Sequence, residues 1–325
     1  MSDMAGTGAN IVRLFINLNL DSDTDTYTTD LSDADSVVAL GAQLGFKVVL
    51  VFQPITTKSV PEYWADTHLQ TSIVKNWIAA AARYEGNTTI AGYDLLNEPI
   101  APSGQAQWIT LATQLISSIR GVDANHVIIF EPSPGAIPEA FSTMTPGIMA
   151  TLLPIKNIVY SVHDYEPYQI THQGIMYSSS LPYPAPSDSV IGAVDKNTLS
   201  QALQPVRDFV TLYHISIYVG EFSCVRWAPG NSAYSYVADQ ISLFEAEGYS
   251  WNYHAWRAYP GWDAEFSESF FDQFPKVSAM PQQFTVNGSP GWRDVLATDA
   301  DKDKLRSDST DTMLLLKYYF YLNTH

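Results

Sequence analysis

Two glutamates stand in matching settings. Glu98 lies in Tyr93-Asp94-Leu95-Leu96-Asn97-Glu98-Pro99, and Glu221 in Tyr218-Val219-Gly220-Glu221-Phe222. Each follows a short apolar run of the kind that forms a buried strand, so each is expected at a strand's C-terminal end. A lone glutamate there caps the next helix or pairs with an arginine as readily as it reacts. Two together, one locked by a following proline and the other freed by a preceding glycine, favour chemistry. A carboxyl kept protonated can give its proton to a leaving oxygen, while an ionised one attacks the anomeric carbon of a glycoside. Rigid strand ends can hold the pair at the short separation that retention of configuration requires.

Other residues join them. Val159-Tyr160-Ser161-Val162-His163-Asp164-Tyr165 supplies a third strand end, on which His163 and Tyr165 share a side, two residues apart. Either can hydrogen-bond a carboxylate; the alternative is a surface histidine and a core tyrosine. Arg13, between Val12 and Leu14, is charged in mid-strand, and a buried guanidinium needs an anion. Trp256 closes the last apolar run and offers a flat face to the apolar side of a sugar ring, or to the core.

The elements that must carry these residues alternate. Strands are expected at Asn10–Ile16, Phe46–Phe52, Ile90–Leu96, His126–Phe130, Ile158–Val162, Ile215–Val219 and Tyr249–Trp256. All are nearly continuous in apolar residues, as parallel strands covered on both faces must be. Helical patterns fall between them at Ser32–Leu44, around Leu69, Ile73, Trp77 and Ala80, and at Gln105–Ile119, Thr198–Tyr213, Ala233–Glu247 and Thr310–Leu322. The first opens on an expected capping box, Ser32 to Asp35, and stops at Gly45. Residues 21–30 and 178–188 read as loops, and residues 1–9 as the tail of a helix. The alternation describes an α/β chain with a parallel sheet in a single domain over residues 1–325: either an incomplete (β/α)8 barrel with seven recognisable βα units, or a doubly wound sheet. No GxGxxG turn supports a nucleotide site.

In combination these motifs resemble glycoside hydrolase family 5, the bacterial cellulases among the retaining (β/α)8 glycosidases. The resemblance runs from Gly8 onward through Arg13, Asn97-Glu98-Pro99, His163 with Tyr165, Gly220-Glu221-Phe222 and Trp256. Glu166-Pro167 with Thr171-His172-Gln173-Gly174, and Arg226-Trp227-Ala228-Pro229-Gly230, add to it. It implies Glu98 as acid/base and Glu221 as nucleophile. It implies that Asn97 bonds the sugar 2-hydroxyl, that His163 and Tyr165 tune the carboxylates, that Arg13 orients Glu221, and that Trp256 stacks on the sugar. Where the family carries Asp-Leu-His, this chain reads Val51-Phe52-Gln53, so Gln53 would hold substrate without a cation. Trp227 and Trp262 extend the expected substrate surface. The family's first strand and helix have no counterpart, which leaves sheet edges that a late segment or a second copy of the chain would cover.

Composition narrows the partners. Of 325 residues, 17 are Lys or Arg and 34 Asp or Glu, a net charge of −17 that disfavours nucleic acid. No apolar run approaches the length of a membrane span. A single cysteine, Cys224, excludes internal disulfides and cysteine-based metal clusters. Asp299–Asp303 begins like a calcium loop but lacks its glycine and closing glutamate, so neither metal nor cofactor is expected. Met1–Gly6 shows no basic region followed by an apolar stretch, so the chain is intracellular, or extracellular as a mature or truncated form. The leading expectation is an endo-β-1,4-glucanase. The rivals are a hydrolase of mannan, β-1,3-glucan or small β-glucosides, and a carbohydrate-binding pseudo-enzyme.

Overall fold

The computed structural model describes residues 9–21, 26–55, 59–256 and 261–262. They form two compact units interleaved along the chain. The first holds the described residues up to His163 with Pro205–Tyr218; the second holds Asp164–Gln204 with the described residues from Val219 onward.

The first unit is built on a sheet in the order β2-β1-β3-β4-β5-β6. Its strands are β1 (Ile11–Asp21), β2 (Thr26–Thr28), β3 (Lys47–Ile55), β4 (Ile90–Asp94), β5 (Val127–Phe130) and β6 (Ile158–His163). From β1 through β6 the β1–β3, β3–β4, β4–β5 and β5–β6 ladders are all parallel. Helices α1 (Ser32–Leu44), α2 (Val60–Ala65), α3 (Thr67–Tyr84), α4 (Gln105–Arg120) and α5 (Pro146–Leu152) lie between the strands in sequence. Both faces of β3 are apolar, and both are used. Phe52 meets Trp77 of α3 with ring centroids 4.3 Å apart, while Val49 packs with Ile129 and Tyr218.

Two buried indoles of the helices tie down the strand ends. Trp77 donates its Nε1–H to the carbonyl of Leu95 at 2.8 Å, and Trp108 of α4 to that of Glu131 at 2.7 Å. Gly92 of β4 must be glycine, because a Cβ there would lie 2.8 Å from the Val127 carbonyl oxygen on β5.

The second unit contains α6 (Tyr168–Thr171), α7 (Lys196–Ala202), α9 (Ser232–Glu247) and β8 (Ser250–Trp251). Between α7 and α9 the chain forms α8 (Gln204–Tyr213) and β7 (Ile217–Glu221), and β7 starts in the first unit and ends in the second. A core of Ile170, Leu199, Cys224, Val225 and Tyr236 lies within the second unit, with Trp227 and Trp262 packed against it. Among the described residues no helix is long and apolar enough to cross a membrane.

Several expectations need correction. β1 continues past Ile16 to Asp21 and pairs antiparallel with β2, Asn19 with Thr28, so residues 21–30 are not all loop. Ser32 is the first helical residue of α1 rather than its cap. Its amide donates to Asp30 Oδ1 at 2.8 Å, and Asp35 is taken by Arg83 and the Tyr84 hydroxyl. The expected helix at Thr198–Tyr213 is two, α7 and α8, broken before Pro205 because proline has no N–H to continue the ladder. The last strand spans only Ser250–Trp251, so Trp256 lies beyond it rather than at its end. Residues 1–8 and the helix at Thr310–Leu322 lie outside the described residues.

Candidate active site

In the first unit, Glu98 stands just past β4 with φ +46°, the left-handed region that a non-glycine residue occupies at a cost of about 1–3 kcal/mol. Neighbouring bonds impose it. The amide of Asn97 donates to the Phe52 carbonyl at 3.1 Å, and that of Glu98 donates to Glu131 Oε2 at 2.6 Å. His163, wholly buried at the end of β6, places Nδ1 2.9 Å from Glu98 Oε1 and Nε2 3.3 Å from Glu131 Oε1. The Glu98 side chain is 36% exposed, as a group that must reach a solvent-borne bond requires.

Arg13 is indeed buried and is held by two carboxyl groups. Its Nε donates to Asp94 Oδ2 at 2.8 Å and its Nη2 to Glu131 Oε1 at 2.7 Å. Nη2 also donates to Asn97 Oδ1 at 3.0 Å, which turns the Asn97 NH2 away from Arg13 as a donor. Their surroundings push the two buried carboxyls in opposite directions. Burial, then the charge of Glu131, pushes Asp94 well above the usual carboxylate range, against the pull of Arg13. Glu131 is buried too, but the charges of His163 and Arg13 and the Glu98 N–H outweigh that burial and hold it below the usual range. Glu131 is therefore the ionised partner of this group.

In the second unit, Glu221 ends β7 nearly buried. It accepts the Tyr165 hydroxyl at 2.8 Å on Oε2, and His254 Nδ1 lies 3.6 Å from the same oxygen. Tyr165 is fixed from behind. Thr171 donates to its carbonyl at 2.6 Å, and its ring lies 5.1 Å from His172 and 5.9 Å from Trp262. His172 is stacked on Tyr168, and burial, helped by the charge of His254, depresses its pKa to about 4. Trp262 donates its Nε1–H to the Thr171 carbonyl at 3.2 Å.

Each unit thus assembles part of the expected set: Arg13, Asn97, Glu98 and His163 in the first, Tyr165, Glu221 and Trp262 in the second. Gln53 sits half-buried on β3 opposite Asn17 of β1. Trp227 is half-buried, with its Nε1–H on the Gln173 carbonyl at 2.7 Å, and Trp256 is half-buried. Sequence reasoning missed Asp94, Glu131 and His254. A signal for Glu131 existed, since it follows the apolar run Val127–Phe130 just as Glu98 and Glu221 follow theirs.

Comparison with known proteins agrees with the motifs. Residues 1–260 match the model of the cellulase family, glycosyl hydrolase family 5. The chain belongs to that family. Endoglucanase 3 of Fibrobacter succinogenes is 28% identical over 228 residues, covering 60% of this chain and 34% of that protein. Endoglucanase C of Acetivibrio thermocellus is 25% identical over 231 residues, covering 62% of this chain and 64% of that protein. The chain thus spans from about a third to just under two thirds of the length of these relatives. A solved hyperthermophilic endo-β-1,4-glucanase in complex with substrate superposes with a TM-score of 0.69 at 18% identity, over 82% of this chain and 84% of that one. The fold is accordingly of the (β/α) barrel type.

Proposed function

We propose that the protein is a retaining endo-β-1,4-glucanase that hydrolyses β-glucan by double displacement within one catalytic domain, residues 1–325. The observation that carries this reading is the matched support of the two glutamates. Glu98 stands just past β4 and Glu221 ends β7, and each is bound by a side chain at or just past the end of β6, His163 for one and Tyr165 for the other.

In this reading Glu98 gives its proton to the glycosidic oxygen as the bond to the anomeric carbon breaks. Glu221 attacks that carbon and forms a glycosyl ester. Glu98, now ionised, takes a proton from water, which displaces Glu221 and releases the sugar. The Tyr165 O–H favours the ionised, nucleophilic form of Glu221. Asn97, its oxygen occupied by Arg13, offers its NH2 to the 2-hydroxyl, and Arg13 orients the carboxylates. Gln53 bonds sugar hydroxyls, and Trp227, Trp256 and Trp262 meet sugar faces.

Gln53 also favours a second reading, a retaining hydrolase of another β-glycan. A neutral amide in place of an imidazole changes which hydroxyl pattern is held. Release of nitrophenol from a chromogenic cellobioside separates an enzyme from a carbohydrate-binding pseudo-enzyme. Initial rates on cellulose, mannan and β-1,3-glucan then separate the two hydrolase readings; fastest turnover of mannan or β-1,3-glucan would displace the first.

A further inference from the structure

The geometry points to Glu131 as a positioning residue that sets the general acid in place by holding the Glu98 backbone, Arg13 and His163 at once. It rests on the reading of Glu98 as acid/base. Both carboxylate oxygens and the carbonyl of Glu131 are engaged within the first unit. Oε2 accepts the Glu98 amide at 2.6 Å, and Oε1 accepts Arg13 Nη2 at 2.7 Å and faces His163 Nε2 at 3.3 Å. Its carbonyl accepts Trp108 Nε1–H at 2.7 Å. A charge-assisted bond to a backbone amide is short and directional, so it fixes a conformation as well as a position. Here that conformation is the left-handed turn that aims the Glu98 side chain at His163.

Glu131 does not act alone on this turn. Ala101 donates its amide to Ser133 Oγ at 3.0 Å, and Gly135 donates to the Pro99 carbonyl at 3.0 Å. Gln105 Oε1 accepts the Ser133 amide at 2.7 Å. The segments after β4 and β5 are stitched together, and Glu131 is the stitch nearest the acid. It is wholly buried and touches no solvent-borne substrate, so its effect must pass through Glu98 and His163.

This role has a signature that a purely structural residue lacks. Proton donation matters when the leaving group is a sugar alcohol and little when it is dinitrophenolate. Loss of the Glu98 alignment should therefore be selective. The test compares the protein with Glu131→Gln, which removes the charge, and Glu131→Asp, which keeps the charge but withdraws it from the Glu98 amide. The kcat/KM values on cello-oligosaccharide and on 2,4-dinitrophenyl β-cellobioside, which report the first displacement and not the base-assisted second one, are measured per active site. Sites are counted by mass after labelling with a 2-deoxy-2-fluoro dinitrophenyl cellobioside, which needs little acid assistance.

The expected result is a loss of about 100-fold on the oligosaccharide and less than about 10-fold on the dinitrophenyl substrate, in whichever variant is labelled. Equal losses on both substrates, or no loss, would overturn the assignment. Failure of both variants to fold would make Glu131 a residue of stability alone and overturn it as well. If the unaltered protein neither turns over substrate nor is labelled, the glycosidase reading fails first, and this inference with it.

Discussion

Glu98 carries backbone strain that only its neighbours justify. Its left-handed φ and its partly exposed side chain suit a group held in one orientation toward a bond outside the protein. Glu221 is the opposite case, nearly buried and fixed by Tyr165. The proposed roles predict different chemistry on removal. Glu98→Ala and Glu221→Ala should each lose several orders of magnitude in rate with the fold intact by circular dichroism. Added azide should give the inverted glycosyl azide with Glu221→Ala, and the retained azide with Glu98→Ala. Full activity in either variant, or the same azide anomer from both, would contradict the assignment. Both glutamates were legible in the sequence because each follows an apolar run with a conformationally telling neighbour. Glu131 follows such a run too, but its role depends on a 2.6 Å contact with an amide 33 residues away, which no local pattern encodes.

At the scale of elements, α1 and the α3 and α4 helices were readable from apolar period and glycine stops. Most breaks in regularity were not. The division before Pro205 follows from the proline itself, whereas the β1–β2 pairing and the short β8 depend on contacts between segments that are distant or weakly patterned. Gly92 belongs with these, since only the approach of β5 shows why it is needed. Gly92→Ala should push β4 from β5 and cost about 1–3 kcal/mol in denaturant unfolding, with activity falling in the folded protein. An unchanged midpoint would show that the strands yield freely.

Two buried groups of the second unit make opposing contributions to stability. Burial raises Asp164 from 3.8 to about 7. The folded chain then keeps a proton that the unfolded chain loses, so stability from this group falls as pH rises from about 4 to about 7, by up to about 4 kcal/mol. His172, depressed from 6.5 to about 4, does the reverse. The unfolded chain holds the extra proton, so stability rises with pH over about 4–6.5, by up to about 3 kcal/mol. The two slopes nearly cancel where they overlap. In thermal unfolding, Asp164→Asn should make the midpoint climb more steeply between pH 4 and 6.5 than in the unaltered protein. His172→Asn should make it fall over pH 4–7. Parallel profiles for all three proteins would contradict the two shifts.

At the scale of the whole molecule, the charge of −17 suits a neutral polysaccharide better than a polyanion. Covering of a sheet edge by a second copy of the chain, expected from the sequence, is a proposal at this scale. Sedimentation velocity at micromolar concentration should show a dimer, and an active monomer would contradict it. The central claim, hydrolysis through a glycosyl ester on Glu221 with Glu98 as acid, makes a sharper demand. Two displacements at one carbon return the starting configuration. Proton NMR of the first sugar released from cello-oligosaccharide, recorded before mutarotation, should show the β-anomer; an initial α-anomer would contradict the mechanism and the roles given to both glutamates.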